Sequence, residues 1–244
     1  ETSHDRGRGQ ASERRDGSNT CAQEEAAGAN RKLVVIRTLG DVMQKTWPQT
    51  WPHKWPMWLG LVIGLGAVAS GLLAGQDQIE QWRLAARWTA RVGFPLLIFA
   101  YVARPLTQLW PSKPAKGLLQ RRKYFGLGFA AAHTIHLFAL VTFFVVSGEH
   151  VDPIAVVGGG WGYLLMFAMA LTSNRKAMKA MGKWWKRLHW IGIHTLWAIF
   201  LVTYAGRLEA PETFVLGVTT VGVLLLAGAI RLAAWIKTRR RGIR

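Results

Sequence analysis

From residue 57 onward the chain alternates long apolar runs with short polar links. The runs cover 57–75, 88–110, 124–147, 155–173, 188–206 and 213–236. At 1.5 Å of rise per residue, each is long enough to cross the hydrocarbon core of a bilayer as an α-helix. The pattern predicts an all-α integral membrane bundle of six transmembrane helices. Arg91 and Arg104 fall inside the second run, which leaves its ends the least defined. No repeat of solenoid period is visible.

Upstream of the runs the pattern breaks down. Residues 1–32 are rich in Gly, Ser, Arg, Glu and Ala without an apolar period, the composition of a disordered segment. Residues 33–46 have the spacing of a short amphipathic helix, so 1–46 forms one polar N-terminal segment. It does not read as a signal peptide, because no apolar core follows the first arginines. The first residue is Glu1 and not Met, so the natural start is left open. Between 47 and 56, Trp47, Trp51 and Trp55 are each followed by proline. Prolines at that density exclude a regular helix, and tryptophans favour the membrane–water boundary. This stretch is expected to lie at the interface or to pack as a Trp-rich loop on the protein. Residues 57–236 then make the transmembrane domain, and 237–244 a basic tail.

Charge adds orientation. The chain holds 31 Lys and Arg against 13 Asp and Glu, a net charge of +18. Such an excess suits nucleic acid or an anionic membrane surface, and its position decides between them. Lys113, Lys116, Arg121, Arg122 and Lys123 crowd one link, and Arg175, Lys176, Lys179, Lys183, Lys186 and Arg187 another, with no acid in either. The tail adds Lys237, Arg239, Arg240, Arg241 and Arg244. The remaining links carry Asp77, Glu80, Glu149, Asp152, Glu209 and Glu212. All basic links fall on one side of a six-span topology, which the positive-inside rule makes cytoplasmic, with both termini inside. Membrane lipid is therefore the expected surroundings, and nucleic acid is not an expected partner.

The candidate chemistry lies in the histidines. His4, His53 and His150 lie outside the runs, whereas His133 and His136 sit in the third run and His189 and His194 in the fifth. Imidazoles in an apolar run are costly unless used. Three residues apart on a helix, His133 and His136 share a face. Five apart, His189 and His194 diverge by about 140°. Histidines on facing helices suit a b-type haem, each giving an axial nitrogen to iron in an apolar slot. Hydrogen bonding across helices is the plainer use of such residues, and a metal pair at His133 and His136 a third. Four histidines confined to two of six runs favour haem. By rise, His133 lies about 15 Å and His136 about 20 Å from the cationic boundary at Lys123, while His194 lies only about 10 Å from Arg187. Levelling the pairs requires uneven helix ends. The single Cys21 excludes an intrachain disulfide and an iron–sulfur cluster. No nucleophile elbow, Walker loop or dinucleotide fingerprint occurs. Gly158-Gly159-Gly160 is better explained by close helix packing than by phosphate binding.

Several segments in order resemble the ferric-reductase-like transmembrane family, and within it the haem-binding membrane subunits of bacterial periplasmic methionine-sulfoxide reductase systems. They are ARPLTQL at 103–109, RRKYFGLGFAAAHTIH at 121–136, ALTSN at 170–174 and GKWWKRLH at 182–189. The likeness covers roughly 57–236. It implies haem b ligated at His136 and His189; His133 and His194 do not map onto the family and are the substitute pair by depth, and with Val202 where relatives have a histidine one haem is expected rather than two. Flavin is a second candidate cofactor. It implies transfer of electrons from a quinol or flavin-reductase donor to a periplasmic acceptor protein, in the bacterial inner membrane. Bis-histidine iron, with no open position, suits electron transfer. Relatives carry a further histidine about thirteen residues after the Leu-His pair, where this chain has Val202, and the arginine pair is displaced by one residue against Gly126. The chain reaches Arg244 soon after the sixth run, so electrons are expected from a separate protein. A non-redox membrane scaffold or assembly factor is the rival expectation.

Overall fold

The computed structural model describes residues 53–242, and everything described is helix, turn or connecting chain. The expected segments 1–46 and 47–52 lie outside it. The helices are α1 (Trp55–Ala74), α2 (Gln78–Val92), α3 (Phe94–Leu109), α4 (Lys113–Ser147), α5 (Pro153–Leu171), α6 (Arg175–Met181), α7 (Lys183–Ala205) and α8 (Pro211–Gly242). Five stretches are long and apolar enough to cross a membrane: α1, α2 with α3, α4, α7 with the short 3₁₀ turn after it, and α8. A sixth arises if α5 and α6 count as one broken span, bent by 106°. Large apolar side chains cover the exterior: Leu73 is 87% exposed, Val145 77% and Leu171 78%. In water such a surface would be strongly unfavourable, and lipid is the solvent that accepts it. The chain is a multi-pass membrane protein.

The element boundaries follow from local chemistry. α1 begins at Trp55, two residues before its apolar run, because Pro56 occupies the first turn, where no backbone N–H is needed. Trp55 packs edge-on against Phe125 at 5.6 Å, so this residue of the Trp-Pro stretch is held by the protein. α2 starts ten residues before its run, at Gln78. There the Asp77 side chain accepts from the Glu80 N–H (2.9 Å), and the Glu80 carboxylate accepts from the Gln76 N–H (2.8 Å). Gly93 joins α2 to α3 in helical conformation, so the pair makes one long candidate span. α4 has 35 residues, about 50 Å by rise, and its first turns carry the basic 113–123 segment beyond the apolar run. Gly148, in the left-handed region at φ 66°, ends it.

Small residues bring α1 close to its neighbours. Gly60, Gly64, Ala67 and Gly71 form its buried stripe. A Cβ at Gly60 would collide with the Gly128 backbone of α4, and one at Gly71 with Ala85 of α2. Apolar side chains gain nothing over lipid by association, so backbone proximity and dispersion carry this packing. α3 is held at its C-terminal end by cations. Pro105 lacks the N–H that would bond the Tyr101 carbonyl, and the Arg231 guanidinium of α8 donates to that carbonyl instead, at 3.0 Å. Arg122 of α4 donates to the Ala100 carbonyl, and Lys237 to the Leu109 carbonyl, both at 3.0 Å. Several cations of the basic side thus satisfy the C-terminal half of α3.

Candidate functional site

The break at Gly93 makes room for an imidazole. A Cβ there would stand 2.5 Å from His133 Nδ1. His133 is buried, against Phe129 (centroids 4.2 Å) and Phe200 of α7 (5.4 Å). Its Nδ1 is enclosed without a well-formed hydrogen bond. One turn further along α4, the His136 ring stands 5.5 Å away. Its Nδ1 is engaged, 3.1 Å from the Thr89 hydroxyl of α2.

Both rings line one half-open cavity between α2, α4, α5 and α7, with a volume of about 190 Å³. Its walls are mainly apolar, from Phe129, Leu140, Met166, Leu196, Ile199 and Phe200. Gly162 of α5 contributes to the space, because a Cβ there would meet Ile199 at 2.8 Å. Tyr163, Thr203 and Tyr204 supply hydroxyls, and Arg207 places a guanidinium at the end where α7 finishes. This cation lies 5.7 Å from the Tyr204 ring. The walls from α5 and α7 contain no imidazole.

His189 and His194 lie elsewhere. His189 stacks on Trp185 at 4.0 Å, donates from Nδ1 to the Trp185 carbonyl (3.1 Å), and has Nε2 3.5 Å from the Ser173 hydroxyl at the end of α5. His194 donates from Nδ1 to the Trp190 carbonyl at 2.6 Å and meets the Tyr101 ring of α3 edge-on at 5.8 Å. Contacts fix the register of α4 against α7. His133 is level with Phe200, and His189 lies eleven residues before Phe200 on α7. Eleven residues are three turns, about 16 Å. Iron–imidazole bonds of about 2 Å require two axial nitrogens about 4 Å apart. His194 lies six residues before Phe200, about 9 Å by rise, so one iron reaches neither both His136 and His189 nor both His133 and His194, and the expected pairing across α4 and α7 is not assembled. The physical reason is register: both helices begin in the basic layer, but the α4 histidines lie three to four turns into the bundle and His189 only one. Among the described residues no third His, Cys, Asp or Glu joins His133 and His136 into a metal-ion site.

Sequence reasoning did not single out Thr89, Tyr163, Met166, Thr203, Tyr204 or Arg207. Arg207 carried a signal, as the lone cation of an otherwise acidic link. Thr89 carried none, since threonines are common in membrane helices and only the fold brings it to His136. Val202, where relatives have a histidine, is 74% exposed on the outer face of α7, while its neighbour Thr203 faces the cavity.

Fold and site together define a class: a multi-pass helical membrane protein with an internal, imidazole-bearing apolar cavity. Comparison with known proteins places it beside one group. The chain is similar to the protein-methionine-sulfoxide reductase heme-binding subunit MsrQ of Yersinia pseudotuberculosis serotype O:1b (strain IP 31758), at 27% identity over 192 residues, covering 75% of this chain and 89% of that protein. The protein of the same name from Yersinia pestis (strain Pestoides F) is also 27% identical, over 75% of this chain and 87% of its own length. No protein-family model matches the chain, and no solved structure does.

Proposed function

We propose that this chain is the b-type haem-binding, electron-transferring membrane subunit of a bacterial methionine-sulfoxide-reducing system, with the haem in the cavity of α2, α4, α5 and α7. The observation that carries this reading is the cavity itself: an apolar space inside the bundle with an imidazole pair on one wall and a cation at one end. The group fits the residues present. His136 offers iron a nitrogen, its Nδ1 being held by Thr89 and Nε2 left over. The aromatic and aliphatic walls suit a porphyrin, and Arg207 suits its propionate carboxylates. When bound, the haem supplies one-electron exchange between ferrous and ferric iron. The protein's own part is to exclude water, orient His136 and neutralise the propionates.

One haem per chain follows, with a single imidazole from α4. His133 shares a helical face with His136 and does not reach the opposite side of the same iron. His189 serves the α5–α7 junction through Ser173 and Trp185. The arrangement in the membrane is six spans with both termini and the basic links cytoplasmic, α5 and α6 forming the broken fourth span. The 57–236 bundle is the haem domain, with 237–244 as its tail. The localisation is the bacterial inner membrane. A quinol or a cytoplasmic flavin reductase donates, and a periplasmic methionine-sulfoxide-reducing subunit accepts. The likeness to proteins named as heme-binding subunits supports the cofactor and the subunit role.

A pyridine haemochrome assay on purified protein tests the reading. The expected result is a Soret band and close to one b-type haem per chain. A colourless, folded protein would instead support a non-redox scaffold, and a ratio near two would contradict the single site.

A further inference from the structure

We infer that Thr89 is a positioning residue that fixes the proton of His136 on Nδ1, presents Nε2 as the coordinating nitrogen and sets the electron-donating strength of that ligand. The inference rests on the proposed haem site for its consequence, but not for its geometry. Thr89 is fully buried on α2. Its hydroxyl lies 2.7 Å from the Ala85 carbonyl, 3.1 Å from the Ala86 carbonyl and 3.1 Å from His136 Nδ1. A hydroxyl has one hydrogen and two lone pairs. A carbonyl oxygen only accepts, so the shortest of the three contacts claims the hydrogen for Ala85, the usual back-bond of a helical threonine. The Thr89 oxygen then faces His136 as an acceptor, and His136 must donate from Nδ1. A neutral imidazole with Nδ1 protonated has its lone pair on Nε2.

Donation from the distal nitrogen of a ligating imidazole raises its basicity and fixes its plane. A more basic imidazole favours ferric over ferrous iron, so Thr89 holds the potential down. Thr89 also links the ligand to the α1–α2 packing, because Ala85, which receives its hydrogen, is the residue against which Gly71 of α1 packs.

The substitutions Thr89→Val, nearly isosteric but without the acceptor, and Thr89→Ser, which restores it, make the test. In apo protein selectively labelled with ¹⁵N-histidine, the wild type and T89S should show His136 protonated at Nδ1, and T89V should lose that single tautomer. In haem-loaded protein, T89V should raise the midpoint potential by about 59 mV, the one-electron equivalent of a tenfold shift toward ferrous binding. It should also hold haem roughly tenfold to a hundredfold more weakly, with T89S returning both toward wild type. A T89V protein with the wild-type tautomer and potential would overturn the inference, as would T89S behaving like T89V. If haem is retained in full by His136→Ala while the tautomer result stands, the site reading fails and the Thr89–His136 bond does not. Should T89V not accumulate, T89S against Thr89→Ala carries the same comparison.

Discussion

At the level of single residues, what distinguishes the four histidines of the apolar runs is which ring nitrogen each has committed. His136 spends Nδ1 on Thr89, His189 on the Trp185 carbonyl and His194 on the Trp190 carbonyl, whereas His133 Nδ1 sits enclosed against Gly93. The last two of those bonds run one turn back along the same helix, and any helical histidine can make them. The first crosses between helices, and it fixes the orientation of the His136 ring. The sequence could show that these four residues were costly where they stood. It could not show their partners, because Thr89 lies 47 residues from His136 and nothing in its neighbours distinguishes it. The same holds for Arg231. It stands inside the last apolar run, and in the fold it replaces the N–H that Pro105 lacks, 130 residues from the Tyr101 carbonyl it serves. A local rule, that proline frees a carbonyl, names the need and not the supplier.

At the level of elements, helix identity was legible and helix register was not. Each apolar run became a helix or a pair joined by a short break, since length and hydropathy are properties of one segment. The basic links proved partly helical, as in the first turns of α4, because lysine and arginine are good helix formers and charge ends a span without ending a helix. Register between α4 and α7 depends on packing, set by Phe129, His133 and Phe200, and it separates His136 from His189 by nearly four turns and His133 from His194 by about 9 Å of rise. That register makes a prediction. Thr203 lies three residues beyond Phe200, as His136 does beyond His133, and both line the cavity. Thr203→His should place an imidazole on the wall opposite His136 and shift the haem to a low-spin, bis-histidine electron paramagnetic resonance signature. Val202→His, on the exposed face, should leave the spectrum unchanged. The reverse outcome would show α7 to be turned by about 100° from the position described here.

At the level of the whole molecule, the account is a membrane bundle that carries its redox group toward the acidic, outer side and its cations on the inner side. The cavity ends at Arg207, where α7 meets the link bearing Glu209 and Glu212, whereas Arg122, Arg231 and Lys237 gather at the other end of α3. With the haem site and topology proposed, an acceptor docking outside would lie nearer the haem than a donor docking at the basic face. In a background with Cys21 replaced by serine, a cysteine at His150 should label from the periplasmic side and one at Ala180 should not; the opposite pattern would invert the topology. The central claim, that the iron sits at the α4 histidines in the outer half of the bundle, is tested most directly by haem per protein in two purified variants. The account predicts that His136→Ala loses most of its haem and that His189→Ala keeps close to the wild-type ratio. Full retention by His136→Ala together with loss in His189→Ala would contradict it.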